Sequence, residues 1–331
     1  MSTFRDEFGR VHDDLRISVT DRCNLRCTYC MPQEPVWFPR PEILTYEEMA
    51  RLASVASGTG VRKVRLTGGE PLVRRDIPIL IRELREIDGI REISLTTNGL
   101  LLETMAAELK RAGLDRINVS LDTLVRERFE RLTRRDGLDR VLRGLREAAR
   151  VGLAPIKINT VLMRGVNDDE VGPLVAGARE HGWEIRFIEF MPLENGGTWD
   201  RSRVVSGQEI RDTIEARWPL VAQTPADPNA PAVRYRFRDG RGVVGFVDSV
   251  TQPFCATCNR LRLTSDGMLR VCLYDDREVD LKTPLRAGAS DAELAGLMAA
   301  AVRAKGRGGA IDLFERRSAA PLTRTMHQIG G

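Results

Sequence analysis

The chain has 331 residues, 42% of them hydrophobic and 30% charged, a composition that is typical of a globular protein and excludes an intrinsically disordered one. Its 51 basic and 47 acidic residues leave a formal net charge of +4, an excess too small to indicate nucleic acid or membrane binding. Because no apolar run approaches the ~20 residues that span a bilayer and the first residues lack a signal-peptide pattern, we expect a cytoplasmic protein without nucleic acid or membrane partners.

Short apolar or β-branched segments alternate with helical patterns through the first two-thirds of the chain. Six strands are predicted at 15–20, 63–67, 92–97, 116–121, 155–162 and 184–190. Helices are predicted near 45–58, 76–87, 100–112, 138–150 and 168–181. Strands separated by helices are typical of a parallel sheet built from βαβ units. Six such units predict an α/β fold, specifically an incomplete (βα)6 TIM-type barrel.

Polar and apolar residues alternate within these strands, and the polar positions include Arg16, Arg65 and Lys157. An ordinary eight-stranded barrel fills its interior with branched apolar side chains, so a polar inner face indicates a wider or incomplete barrel that holds a polar ligand. An open sheet with one solvated face is the alternative.

The chain changes character after the sixth strand. A stretch rich in proline and alanine at 223–231 predicts a linker, and 233–237 and 243–247 flank a plausible hairpin turn at 239–242. We therefore predict a barrel domain at 1–222 and a β-containing C-terminal extension at 223–331.

All six cysteines fall into two triplets, Cys23, Cys27 and Cys30 near the start and Cys255, Cys258 and Cys272 near the end. In a long chain with no export signal, clustered cysteines more often bind metal or take part in redox chemistry than form disulfides.

The first triplet has the spacing Cys-x₃-Cys-x₂-Cys directly after the first strand. Three thiolates can ligate three irons of a 4Fe–4S cluster and leave the fourth iron without a protein ligand. S-adenosylmethionine can chelate such an iron, and an electron from the cluster can then cleave its C–S bond to give a 5′-deoxyadenosyl radical. Structural zinc is the alternative, but it normally takes four protein ligands, and the chain has three histidines in all.

This cysteine loop, with Tyr29 before the third cysteine, resembles the signature of the radical S-adenosylmethionine superfamily. Further matches follow later strands: Thr67-Gly68-Gly69-Glu70-Pro71, Thr96-Thr97-Asn98-Gly99, Ser120-Leu121-Asp122 and Met191. The resemblance implies that S-adenosylmethionine is contacted by Tyr29, Gly69, Ser120 and Met191, and that Thr96 lies near the substrate.

The second triplet has the spacing Cys-x₂-Cys-x₁₃-Cys and again offers three ligands. It fits a second 4Fe–4S cluster whose open iron binds substrate. A zinc knuckle with a distant fourth ligand is the alternative, because Cys-x₂-Cys pairs are common in zinc sites.

The run from Cys255 through Asn259-Arg260-Leu261-Arg262 to Asp266-Gly267 resembles the C-terminal signature of the GTP 3′,8-cyclase family, and the resemblance extends from Arg16 to Gly330-Gly331. It implies two 4Fe–4S clusters, S-adenosylmethionine, and a substrate, GTP, that is bound by Arg16, Arg65, Thr96, Lys157, Arg260, Leu261 and Arg262. Lys63 and Arg186 are further candidates for binding GTP. Several cationic side chains are the expected partners of a triphosphate.

The family chemistry implied is abstraction of the ribose 3′ hydrogen of GTP and attack of the carbon radical on C8 of guanine. The product is (8S)-3′,8-cyclo-7,8-dihydroguanosine 5′-triphosphate, in molybdenum cofactor biosynthesis. The resemblance also implies a flavodoxin- or ferredoxin-type electron donor, a downstream cyclic pyranopterin monophosphate synthase, a homodimer, and entry of the Gly330-Gly331 tail into the pocket.

Two other functions remain as alternatives. Another radical S-adenosylmethionine enzyme with a second cluster, such as a peptide maturase, often carries more cysteines near its C-terminus. A non-catalytic zinc module that recognises nucleic acid predicts zinc and salt-sensitive binding.

Overall fold

The computed structural model describes residues 3–193, 199–225, 227–315 and 323–330. Within these ranges the chain forms β1 (Asp14–Ser18), β2 (Lys63–Thr67), β3 (Glu92–Thr97), β4 (Arg116–Ser120), β5 (Lys157–Leu162), β6 (Glu184–Glu189), β7 (Leu220–Ala222), β8 (Val233–Phe237), β9 (Val243–Val247), β10 (Arg260–Leu263), β11 (Met268–Arg270) and β12 (Val279–Asp280).

The helices in these ranges are α1 (Tyr46–Gly58), α2 (Ile77–Arg85), α3 (Leu102–Arg111), α4 (Arg126–Thr133), α5 (Leu138–Arg150), α6 (Val171–His181), α7 (Gly207–Glu215), α8 (Lys282–Arg286), α9 (Asp291–Arg303), α10 (Gly309–Glu315) and α11 (Met326–Ile329). Capping boxes start four of them: Thr45 with Glu48 at α1, the Ser-x-x-Glu pairs that open α7 and α9, and Thr325 with Gln328 at α11. Each box satisfies backbone N–H groups that the first helical turn leaves without partners.

One sheet contains all twelve strands, in the order β12-β11-β10-β1-β2-β3-β4-β5-β6-β9-β8-β7. Strands β1 to β6 are parallel and follow one another in sequence order, with helices between them. The C-terminal strands extend both edges, because β10 pairs in parallel with β1 and β9 pairs in parallel with β6.

The apolar side chains, which alternate with polar ones along the strands, form the main core, as the sequence pattern predicts. Ile17, Leu66, Leu95 and Val119 have no exposed side-chain surface, and they pack in one cluster with the apolar faces of the helices. The opposite face carries the polar residues. Burying one face of each strand under helices fixes the register, since a shift by one residue would exchange the two faces.

The predicted strands and helices are confirmed to within a few residues at their ends. The prediction missed α4, which lies between β4 and α5. The hairpin is confirmed as β8 and β9, which pair in antiparallel fashion. The strands on either side of residue 222, β7 and β8, pair with each other. The division into two domains at this residue stays a prediction.

In the described part of the chain, no helix is both long enough and apolar enough to cross a bilayer.

Candidate active site

The first cysteine loop follows β1 and rests against the turn after β2. Gly69 N–H donates to Thr20 O at 2.7 Å, and Glu70 N–H donates to Arg22 O at 2.8 Å. A Cβ atom on Gly68 would lie 2.4 Å from Thr20 O, and one on Gly69 would lie 2.5 Å from Arg22 O. Both glycines therefore allow the chain to approach its own cysteine loop, a reason that the sequence motif alone did not reveal.

Helix α4 and the turn after β3 hold the rest of this loop. Arg26 N–H donates to Thr133 O and Thr28 N–H donates to Leu132 O, each at 2.9 Å. The Asn98 side chain donates to Asn24 Oδ1 at 2.7 Å and lies 3.8 Å from Cys23 Sγ. The missed helix thus supports the cysteine loop.

The three cysteines of this loop are half-buried and not disulfide-bonded. Burial raises the pKa of Cys23 to about 11 and that of Cys30 to about 12, and it raises the pKa of Cys27 well above its usual value. Without a cation the thiols therefore stay protonated at neutral pH, and ligation of iron must displace protons.

Glu70 connects two sequence motifs and was not predicted to do so. Its carboxylate accepts from Leu72 N–H at 3.0 Å, from the Thr97 hydroxyl at 2.7 Å and from Asn98 N–H at 2.7 Å. Burial raises the pKa of Glu70 to about 7, against the effect of these hydrogen bonds. The sequence signal for this role was an acidic residue that directly follows the Gly-Gly turn after the buried strand β2.

Tyr29 and Asp122 join the cysteine loop to the end of β4. The Tyr29 hydroxyl donates to Asp122 Oδ2 at 2.5 Å, and Val161 N–H donates to Asp122 Oδ1 at 2.8 Å. Burial raises the pKa of Asp122 to about 6. The Tyr29 hydroxyl is therefore engaged with a carboxylate, and its ring packs against the small cluster of Leu132, Met163 and Phe190.

Three arginines stand side by side on the polar face of adjacent strands. Arg16 is in register with Arg65 on β2 and with Arg262 on β10. Burial, and then their mutual repulsion, lowers the pKa of Arg16 well below its usual value. Burial is also the main cause that lowers the pKa of Arg65 and of Arg262 to about 10.

No carboxylate of the described ranges lies within ion-pair distance of these three side chains. The Arg16 Nε atom is buried without a hydrogen-bond partner in those ranges. Unpaired buried cations are costly, so this row is arranged for an anionic ligand.

Lys157 extends the cationic face, whereas two other candidates are already neutralised. Burial, with repulsion from Arg186 and Arg116, lowers the pKa of Lys157 to about 7. Arg186 donates to Glu184 Oε1 at 2.6 Å, and Lys63 forms an ion pair with Asp227. Lys63 and Arg186 are therefore less available to a phosphate than Lys157.

The second triplet borders a cavity, which is lined by Met191, Cys255, Cys258, Arg260, Arg262 and Cys272 among others. Glycines make room for the thiols, since a Cβ atom on Gly308 would lie 2.8 Å from Cys255 Sγ and one on Gly309 would lie 2.8 Å from Cys272 Sγ. The space around the sulfur atoms is thus kept free by the sequence.

Cys258 differs from the other thiols. Burial acts to raise its pKa, but Arg260 and Lys305 outweigh burial and lower it to about 6. Arg260 Nε lies 3.4 Å from Cys258 Sγ. A thiol that ionises this readily is a ready metal ligand.

The second triplet is held from behind by the amino-terminal segment, whose role the sequence did not suggest. Arg10 donates to Cys255 O and to Arg307 O at 2.8 Å, and to Gly306 O at 2.7 Å. Its Nε atom pairs with Asp6 at 2.5 Å. One guanidinium thereby fixes two loops that come together only in the fold.

The two triplets lie at opposite ends of neighbouring strands. The first follows the carboxyl end of β1, whereas Cys258 precedes the amino end of β10, which is parallel to β1. Cys272 lies at the same end as Cys258, because it follows the antiparallel strand β11. The row formed by Arg16, Arg65 and Arg262 lies between the triplets along the strands.

The chain's C-terminus reaches this row. The Arg262 guanidinium donates to Gly330 O at 2.6 Å. Gly330 has φ +87°, and a Cβ atom there would lie 3.0 Å from both Ser18 Cβ and Thr67 Cγ2. Gly330 therefore contacts the arginine row, and Gly331 is outside the described residues, so entry of the tail into the substrate pocket stays a prediction.

The remaining predicted residues have mixed placements. Thr96 accepts a hydrogen bond from Asn118 at 3.3 Å on the polar face, and Ser120 is half-buried at the end of β4. Leu261 points into the hydrophobic core, away from its neighbours on β10. Only its backbone is therefore available to a ligand.

The arrangement of donors bears on the kind of metal. No set of three or more His, Cys, Asp or Glu side chains in the described ranges is placed to hold a single ion. A 4Fe–4S cluster takes one thiolate per iron, so its cysteines stand farther apart than the ligands of one zinc ion. The free thiols of both triplets, and the room that Gly308 and Gly309 leave beside Cys255 and Cys272, fit the ligation of iron–sulfur clusters.

Comparison with known proteins places the chain in a family. Residues 17–176 match the Radical SAM superfamily, and residues 183–310 match Molybdenum Cofactor Synthesis C. The GTP 3′,8-cyclase of Moorella thermoacetica is 48% identical over 328 residues, 99% of this chain and 100% of that protein. The chain belongs to the GTP 3′,8-cyclase family. Molybdenum cofactor biosynthesis protein 1 of Bos taurus is another relative. It is 46% identical over 91% of this chain, and the matched part is 48% of the bovine protein.

Solved structures support the fold of this GTP 3′,8-cyclase family member. Streptococcus suis SuiB bound to the precursor peptide SuiA has a TM-score of 0.65 at 16% identity, over 96% of this chain and 76% of that one. At such low identity the likeness shows a shared α/β radical S-adenosylmethionine fold and nothing about the substrate.

Proposed function

We propose that this chain is a GTP 3′,8-cyclase that converts GTP to (8S)-3′,8-cyclo-7,8-dihydroguanosine 5′-triphosphate in molybdenum cofactor biosynthesis. The observation that carries the proposal is the row of Arg16, Arg65 and Arg262 between two cysteine triplets. A polyanion bound to this row would have one end near each triplet.

In this proposal the six parallel βα units form an incomplete (βα)6 barrel with its polar face inside. Residues 1–222 make the barrel, and 223–331 make the extension that carries the second cluster. Arg16, Arg65 and Lys157 lie on the polar face of their strands, and this supports the arrangement. The interior of a closed eight-stranded barrel is filled with side chains and would leave no room for a ligand beside them.

Cys23, Cys27 and Cys30 would hold the first cluster, and Cys255, Cys258 and Cys272 the second. When bound, the first cluster and S-adenosylmethionine would supply a 5′-deoxyadenosyl radical that takes a hydrogen atom from the substrate. Gly69, Ser120, Met191 and Tyr29 would position S-adenosylmethionine. Gly69 supports this role through its place beside the cysteine loop.

The cationic face would bind the triphosphate. Arg16, Arg65 and Lys157 face a common space from three strands, and none has an ion-pair partner in the described part of the chain. Replacing solvent by phosphate oxygens would satisfy Arg16 Nε and relieve the repulsion between neighbours.

The guanine end would lie towards the second cluster. Arg260 and Arg262 line the cavity of the second triplet, and Arg262 also holds Gly330. Thr96, and Leu261 through its backbone, would complete the substrate contacts. Fixing C8 of guanine near the ribose is a positioning effect, and positioning contributes strongly to the rates of intramolecular reactions.

The proposal includes a flavodoxin- or ferredoxin-type electron donor, a downstream cyclic pyranopterin monophosphate synthase that takes the product, and a homodimer. Electrons are needed because cleavage of S-adenosylmethionine and reduction of the cyclised nucleotide each consume one.

Anaerobic incubation of the reconstituted protein with GTP, S-adenosylmethionine and dithionite tests the function. We expect a new nucleotide with the mass of GTP, separable by chromatography, because one hydrogen leaves C3′ and one returns to the guanine ring. Methionine and 5′-deoxyadenosine should form in step with it. Cleavage of S-adenosylmethionine at the same rate with and without GTP would contradict the proposal and favour a peptide maturase. A protein without iron would contradict it and favour a zinc module.

A further inference from the structure

Lys305 is a buried lysine behind the second triplet, just beyond the end of α9. Only 3% of its surface is exposed. Its Nζ atom lies 3.0 Å from His12 Nε2, 3.4 Å from Cys258 Sγ, 3.4 Å from Cys258 O and 3.3 Å from Arg260 O. Lysine is almost never buried to this extent without a partner.

The partners fit an ammonium group. An ammonium has three N–H donors and no acceptor, and each of the four surrounding atoms can accept. His12 is fully buried, and burial lowers its pKa to about 3, so its ring is neutral and Nε2 is free to accept. No carboxylate of the described residues pairs with Lys305. The nearest anion is therefore the Cys258 sulfur in its metal-bound form.

The surroundings fix the lysine in this place. His12 N–H donates to Phe4 O at 2.9 Å, and Arg10 on the same segment pairs with Asp6. Arg10 binds the carbonyl groups of the two residues that follow Lys305, Gly306 and Arg307. The amino-terminal segment thus contacts the Lys305 ammonium group through His12 and holds the backbone that follows Lys305 through Arg10. These contacts leave the lysine side chain little freedom.

We propose that Lys305 is a positioning residue that sets the reduction potential of the second cluster, by donating a buried hydrogen bond to the Cys258 thiolate. This inference rests on the proposed function, because it requires a cluster on Cys255, Cys258 and Cys272.

A positive charge held in a medium of low polarity favours the reduced cluster, which carries one more electron. Hydrogen bonds to the sulfur atoms, net charge and solvent exposure are the protein's means of setting cluster potentials. Cys258 accepts from Lys305 and also lies 3.4 Å from Arg260 Nε. Two cationic donors on one sulfur should raise the potential above that of the same cluster without them.

The test isolates the second cluster. Replacing Cys23, Cys27 and Cys30 by Ala removes the ligands of the first cluster, so that one paramagnetic centre remains after reduction. In this background we compare Lys305, Lys305→Met and Lys305→Arg by anaerobic redox titration followed by electron paramagnetic resonance. Lys110→Met, an exposed lysine in the last turn of α3, is the matched control.

We expect the Met variant to keep its four irons and to have a lower potential. At a fixed potential near the midpoint, the ratio of reduced to oxidised cluster should fall about tenfold, which corresponds to about 59 mV for one electron. The Arg variant keeps a cationic donor and should stay close to the parent. The Lys110 variant should match the parent.

Three results would overturn the proposal. One is an unchanged potential in a Met variant that retains its irons. Another is loss of these irons in the Met and Arg variants alike, since Lys305 would then be only structural. A parent background that binds no iron would instead remove the second cluster itself, and with it the proposed function.

Discussion

Arg16 and Arg262 face each other on the parallel strands β1 and β10, although 246 positions separate them in the chain. Burial is the first cause that lowers the pKa of each, and repulsion from neighbouring guanidinium groups adds to it. Such a pair destabilises the empty protein and is relieved by an anionic ligand. In the proposed function this pair lowers the stability of the empty protein and increases its affinity for GTP.

Replacing Arg16 by Met should make the ligand-free protein more stable and abolish its stabilisation by GTP. We expect Tm to rise by about 2 °C or more, because a buried unpaired charge is removed. Thermal unfolding of the anaerobic holoprotein with and without GTP measures both effects. Arg140→Met, an exposed arginine on α5, should leave both values unchanged. Normal GTP stabilisation in the Arg16 variant would contradict the assignment.

The two cysteine triplets should lose their clusters independently. The parent should hold about eight irons, and Cys27→Ala or Cys255→Ala about four each. Cys27→Ala should also abolish formation of 5′-deoxyadenosine, because the thiol lies in the loop that would hold the first cluster. Cys255→Ala should still cleave S-adenosylmethionine but yield no cyclised nucleotide. Iron analysis and product chromatography measure these outcomes, and four irons in the parent would refute the second cluster.

GTP binding should take up a proton near neutral pH. The pKa of Lys157 is about 7 in the free protein, so the lysine is half neutral at pH 7. The triphosphate stabilises the charged form and raises this pKa, so affinity should fall by up to about tenfold per pH unit as the pH rises above 7.

Calorimetry in two buffers of different ionisation enthalpy measures this proton uptake. Lys157→Met should take up fewer protons and show a flatter pH profile for GTP affinity. Protonation of the γ-phosphate is common to both proteins and cancels in the comparison. Equal uptake by the two proteins would show that Lys157 does not meet the triphosphate.

Replacing Gly330 by Val should displace the C-terminal tail from Arg262. The φ of +87° and the 3.0 Å approach to Ser18 and Thr67 exclude a larger side chain. We expect kcat/KM for GTP to fall at least about tenfold, which is a loss of about 1.4 kcal/mol of transition-state stabilisation.

Gly288→Val is the matched control for the Gly330 variant. Gly288 has φ +86°, but a Cβ atom there meets nothing within 4 Å. It therefore introduces the same backbone strain without the clash. Iron content and uncoupled cleavage of S-adenosylmethionine should be normal in both variants. Equal losses of GTP turnover would mean that strain, and not the position of the tail, is responsible.

The sequence predicted what depends on local patterns. Strand alternation placed Arg16, Arg65 and Lys157 on one polar face, and the cysteine spacing marked both triplets. Each of these features lies within a few residues of chain, where a period of two or a ligand spacing is visible.

The sequence could not predict contacts between distant segments. Pairing of β10 with β1 brings Arg262 beside Arg16, and the support of Cys258 by Lys305 and His12 joins both ends of the chain. Isolated residues such as His12 carry no pattern that shows their partners. Leu261 was named with its neighbours, but strand alternation turns its side chain to the other face.

The most direct test of the whole account follows one atom. GTP carrying deuterium at C3′ should transfer that deuterium to 5′-deoxyadenosine, whose mass then rises by one unit, because the proposed arrangement puts the ribose beside the first cluster. Mass spectrometry of 5′-deoxyadenosine from an anaerobic reaction gives the answer. Transfer in step with product formation is the predicted result. Unlabelled 5′-deoxyadenosine, formed while GTP stays unchanged, would contradict the account.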